Sequence, residues 1–75
     1  MVITIRDNNR DIDIKADDKQ ILKNTLKILE EKNLVKLTEG YEVFSMRDNT
    51  NLDKNKSLKD NNINNGDVVT INSIQ

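Results

Sequence analysis

Enzymatic chemistry needs a nucleophile with its base, a metal-ligand set or a cofactor cradle. This chain holds few of the required groups. It contains no Cys and no His, which removes thiolate chemistry, the commonest general base and the commonest metal ligand. The carboxylates come closest to a constellation. Asp17 and Asp18 are adjacent, but a hard cation takes several converging oxygen ligands. The pair is read instead as a helix cap, accepting backbone N–H groups at the positive end of the dipole. Asp48-Asn49-Thr50-Asn51-Leu52-Asp53 carries acid or amide groups on alternate positions, faintly like a Ca²⁺ loop. It lacks the central Gly, and Lys59 stands where the closing bidentate Glu would be, so it is read as a solvated turn. Lys19, Lys23, Lys27, Lys54, Lys56 and Lys59 outline a weak basic strip, interrupted by Glu30, Glu31, Asp53 and Asp60. That pattern reads as solvated surface. The expectation is a non-enzymatic protein with no catalytic residue, no cofactor and no metal.

What remains is recognition through apolar contact. Tyr41-Glu42-Val43-Phe44-Ser45-Met46 carries apolar groups on both faces of a strand. If Tyr41 and Val43 face the core, Phe44 and Met46 lie on the open face, beside Val2, Thr4, Val68 and Thr70. Met adapts its shape and an aromatic ring anchors, which suits an interface. The candidate protein-binding residues are therefore Phe44, Met46, Val2, Val68 and Thr70. The competing reading returns Phe44 or Met46 to the core after a bulge, and both stay open at this point.

A chain of 75 residues allows one domain, spanning 1–75. A core of this size is marginal, so nearly every apolar residue must be used. The net charge of −1 leaves no clustered basic excess for nucleic acid, and the expected partner is a protein. No run approaches the roughly 20 apolar residues of a membrane span, so no direct membrane insertion is expected. Strand-like alternation follows Met1 at once, where a signal peptide would be basic and then apolar, and the expected compartment is the cytoplasm. Asn is abundant and falls in turns. That abundance is read mainly as compositional bias.

Val2-Ile3-Thr4-Ile5 and Ile12-Asp13-Ile14-Lys15-Ala16 alternate around a short Asn/Asp turn, which predicts a β-hairpin. Its inner face is Met1, Ile3, Ile5, Ile12, Ile14 and Ala16, with Asn8 or Asn9 at positive φ. Ile21/Leu22, Leu26 and Leu29 form the apolar stripe of a helix that Asn33 ends in the left-handed conformation. Part of Leu34, Val35 and Leu37 tucks under it. Tyr41–Met46 is the third strand, and Leu52 is a short fourth strand or a buried anchor. In Ser57–Ile71, Leu58 and Ile63 are buried, Asn65-Gly66-Asp67 turns the chain, and Val68–Ile71 is the final strand. Ile74 and Gln75 complete that strand or fray. The order ββαβ(β)β predicts an α+β protein: a β-grasp fold with a mixed sheet of four or five strands packed on one helix. The first and last strands run parallel in the sheet centre.

The chain resembles ubiquitin over nearly its whole length. The resemblance is carried by Met1–Ile5, by Ile12 and Ile14, by the stripe Ile21, Leu26 and Leu29, and by Leu52…Ser57-Leu58-x-Asp60-x-x-Ile63-x-x-Gly66-Asp67-x-Val69-x-Ile71. It speaks to the fold far more than to the function. Conjugated modifiers and sulfur carriers of this superfamily end in Gly-Gly, whereas no Gly follows Gly66 here. The segment Asn33–Gly40 is also longer than in ubiquitin. In size, in the Tyr41-x-Val43 strand entry and in lacking the tail, the chain is most similar to the YukD/EsaB group of small bacterial ubiquitin-like proteins. The resemblance implies an accessory component of a type VII secretion system that docks on its membrane ATPase or another component. Two alternatives stand beside it. One is a sulfur carrier or modifier whose Gly-Gly tail is missing. The other is a ubiquitin-like adaptor domain excised from a larger protein.

Overall fold

The computed structural model describes residues 1–72. Val2–Asp7 (β1) and Arg10–Lys15 (β2) pair antiparallel with Asp7 opposite Arg10, so Asn8 and Asn9 alone make the turn. Their φ values are 50° and 65°. A two-residue hairpin loop of this hand needs positive φ at both positions, where sequence reading asked for only one. Ile3 faces Ile14 and Ile5 faces Ile12 across the hairpin. Ile3 and Ile5 are fully buried, while Ile12 and Ile14, on the sheet edge, are half-buried against the core.

The helix α1 spans Leu22–Glu31 and buries Leu22, Thr25, Leu26 and Leu29. This corrects the predicted stripe. Ile21 precedes the first turn and is exposed, as is Ile28. The turn spacing of 3.6 residues puts Leu22 in line with Leu26 and Leu29 and brings in Thr25. The predicted cap is also corrected, because Ile21 is the N-cap and no side chain caps the helix. Asp17 Oδ1 instead accepts the Lys19 N–H at 2.9 Å within the preceding turn. The first helical N–H groups find partners elsewhere in the chain: Leu22 donates to Lys56 O at 2.9 Å and Lys23 to Lys54 O at 3.0 Å. A backbone loop thus meets donors that a carboxylate was expected to meet. At the other end Asn33, at φ 59°, bonds back to Glu30 O, and Leu34 N–H bonds to Leu29 O. This paired geometry ends the helix and turns half-buried Leu34 onto the core.

Glu42–Ser45 (β3), Thr50–Asn51 (β4) and Val68–Asn72 (β5) complete a five-stranded mixed sheet in the order β2-β1-β5-β3-β4. β1 and β5 are parallel and the other pairings antiparallel, as the apolar character of the first and last strands implied. Leu52 follows β4 as a buried anchor, its N–H on Val43 O at 2.8 Å. The inner face carries Ile3, Ile5, Val43, Val69 and Ile71, which share one apolar core with α1, Val35, Leu58 and Ile63. Asn61 stitches the connecting loop: its Nδ2 donates to Asp53 O and Ser57 O, and its Oδ1 accepts the Asp53 N–H. Ile74 and Gln75 lie outside the described residues. Among those described, no helix is long and apolar enough to cross a membrane.

Two stability outcomes follow from this packing. Leu58 is fully buried, so Leu58→Ala should cost about 2–5 kcal/mol, read as a lower midpoint in urea unfolding. Asn33→Ala forces a β-carbon into left-handed backbone and should cost about 1–2 kcal/mol, whereas Asn33→Gly should cost little or nothing.

Candidate functional site on the open sheet face

One face of the sheet packs on the helix. Among the described residues no element lies over the other, and strand register decides what stands there. Asp11, Arg6, Thr70, Phe44 and Asn51 form one row across all five strands, each beside the next. In the adjacent row, Asp13 is opposite Thr4 and Thr4 is beside Val68. Met46 donates its N–H to Val68 O at 3.2 Å just past the end of β3. Val2 starts β1, its N–H on Asn65 Oδ1 and its carbonyl accepting the Gly66 N–H, both at 2.7 Å.

The two halves of this face differ in chemistry. On the β1–β2 half the polar groups satisfy one another. Arg6 donates from Nε and Nη2 to the two oxygens of Asp11 at 2.8 and 3.1 Å, and Thr4 Oγ1 donates to Asp13 Oδ1 at 2.6 Å. The hydrogen bond from Arg6 holds the Asp11 carboxyl below its usual range, and the same bond raises the guanidinium. On the β5–β3 half the surface is apolar. Met46 is 47% exposed, with Phe44 and Val68 half-buried between sheet and solvent; Val2, on β1, is 46% exposed. Thr70, on β5, is half-buried too, and its Oγ1 is buried without a hydrogen-bond partner.

All five candidate residues therefore fall on one face. Val43 and Ser45 point inward and are buried, so β3 alternates without a bulge and Phe44 is not a core residue. Val2 sits at the hairpin side of this face, apart from the Phe44–Met46 cluster. Sequence reading missed Arg47, which rims the patch. Its Nε donates to Asp67 Oδ2 at 3.2 Å and its Nη2 to Asn62 O, tying the β3–β4 turn to the turn before β5. Asp67 Oδ2 also accepts the Asn64 N–H at 2.8 Å within the turn before β5. Arg47 Nη2 also lies 3.5 Å from Asp48 Oδ2, but the hydrogen-bond partners that give it this place are 15 and 20 residues away, beyond any local signal.

The other groups with chemical potential are engaged locally. The Asp48 N–H bonds Ser45 Oγ, and Asp53 Oδ1 accepts the Asn55 N–H. Among the described residues, no three acidic side chains gather as a metal site would require. Of the lysine strip, Lys54 turns inward, donating to Tyr41 O at 2.6 Å with its Nζ 4.3 Å from the ring centroid.

The Arg6–Asp11 pair gives a titration test. Because the folded carboxyl is depressed, its contribution to stability is present at neutral pH and is lost as pH falls through the depressed value. Both groups are solvent-exposed, so the contribution is small. Arg6→Gln should return the Asp11 titration to the ordinary carboxylate range, measured from the side-chain carboxyl carbon shift.

No protein-family model and no curated protein matches this chain.

Proposed function

We propose that this protein is a ubiquitin-like interaction module of β-grasp fold, working by surface binding without catalysis. Its sequence resemblance to the YukD/EsaB group points to a cytoplasmic accessory role in a bacterial type VII secretion machine, where it docks on the membrane ATPase or another component. The fold reading is supported by the element order, by one helix covering one sheet face, and by parallel first and last strands at the sheet centre.

The observation that carries the function is the split open face. Its β1–β2 half is closed by internal polar pairs, while Phe44, Met46 and Val68 offer apolar area that nothing in the described chain covers. A small domain that must use nearly all its apolar residues in one core keeps a large thioether and an aromatic outside it. Apolar clusters with an aromatic and a Met are the usual centres of binding energy, surrounded by polar groups that exclude water.

Amide shift mapping with the purified cytoplasmic portion of a secretion ATPase tests this reading. Perturbations should centre on Phe44, Met46, Val68 and Thr70 and extend to Val2. Met46→Asp changes an exposed side chain and should leave the fold intact while weakening binding about tenfold or more. Perturbations confined to the helix side, or unchanged binding by Met46→Asp, would remove the proposed surface.

A further inference from the structure

The turn that feeds β5 carries a chemistry of its own. Of the twelve asparagines, Asn65 alone precedes a glycine. Asn65 and Gly66 are both exposed, and nothing stands within 4 Å of where a Gly66 β-carbon would be. A side chain after Asn normally shields the following amide nitrogen from the carboxamide, and here that shield is missing. Both reacting groups are also held by a single residue of β1. Asn65 Oδ1 accepts the Val2 N–H, and the Gly66 N–H donates to Val2 O, each at 2.7 Å.

We propose that Asn65–Gly66 is a site of spontaneous covalent modification by succinimide formation, and that Val2 gates it. The Gly66 amide nitrogen loses its proton to solvent base and attacks Asn65 Cγ. The bond from Cγ to the side-chain nitrogen breaks, and that nitrogen takes up a proton and leaves as ammonia. Water then opens the five-membered ring. Addition at Cγ breaks its new bond to the Gly66 nitrogen and gives Asp. Addition at the main-chain carbonyl breaks the original peptide bond and gives isoaspartate, with the chain running through the former side chain. While the strand start is docked, the Gly66 N–H is occupied by Val2 O and the carboxamide by Val2 N–H. Attack therefore requires the first residues of β1 to open locally.

The products differ in what they do to the fold. Asp keeps an oxygen for the Val2 N–H but adds a negative charge two residues from Asp67. Isoaspartate lengthens the main chain by a methylene between Asn64 and Gly66, so the paired bonds to Val2 cannot both re-form. The start of β1 is then released beside Val68. Modification would thus alter one border of the open face without touching Phe44 or Met46.

The test is incubation of the intact protein at mildly alkaline pH, native and in urea, followed by peptide mass mapping. Asn65→Asp serves as the authentic Asp product. Asn65 should convert faster than every other asparagine in both conditions, with isoaspartate among the products. The native rate should be lower than the unfolded rate by roughly tenfold, the scale set by two backbone-type hydrogen bonds. The isoaspartyl product should show amide shift changes at Val2, Gly66 and Val68. Conversion of native protein no faster at Asn65 than at other exposed asparagines, or no conversion there at all, overturns the site. Equal native and unfolded rates overturn the gate.

Discussion

The parallel pairing of the first and last strands is the constraint on which the rest of this structure depends. Thr4 lies beside Val68 and Ile5 beside Val69, so the chain must leave the sheet after the hairpin and return to its centre more than fifty residues later. Parallel neighbours need a crossover that passes over one face, and here α1 and the segments after it form that crossover. It buries Leu22, Leu26, Leu29, Val35, Leu58 and Ile63 over the inner face. Hydrogen bonds at the strand ends fix the register: Val2 holds Asn65 and Gly66, and Thr4 N–H meets Asp67 O at 3.0 Å. Closing so long a loop is entropically costly, and a small core must offset the cost, which is why so few apolar residues lie outside it.

Turns in this chain are built by asparagine. Only two glycines are present, yet seven of the described residues adopt positive φ: Gly40, Gly66, Asn8, Asn9, Asn33, Asn49 and Asn62. Asn tolerates the left-handed region better than other residues with a β-carbon because its short amide bonds locally. Compositional bias therefore does not account for the asparagines by itself. Five make the hairpin, the helix stop and two tight loop positions possible, and Asn61 closes the 53–61 loop through its side chain.

The same register that closes the core also sorts the outer face. Because side chains alternate with period two, burying Val43 and Ser45 obliges Phe44 to face outward, and Met46, just past the strand, is exposed as well. On β1 and β2 the outward Thr4, Arg6, Asp11 and Asp13 are hydroxylic or charged and pair among themselves, Val2 being the apolar exception. The apolar half is therefore the outward residue of strands whose inward residues are needed for the core, left without a pairing partner of its own. That asymmetry leaves an uncovered apolar cluster beside a polar surface that pairs within itself, and the proposed docking role rests on it.

Local pattern determined much of this architecture. Alternation in 2–5 and 12–16, the helical stripe, the left-handed Asn33 and the Leu58–Ile63–Gly66–Val69 spacing sufficed for the element order, the mixed sheet and most of the core, because these signals act over a few residues. The candidate face was legible as a set of residue types, but whether Phe44 turned outward was not, since a single bulge would have reversed it. Only the tertiary structure decided that point, by pairing Phe44 with Thr70 and placing Ser45 inside. It also decided the helix start. The carbonyls of Lys54 and Lys56 meet the first N–H groups, and no cap residue in the local sequence could reveal partners that arrive from more than thirty residues away.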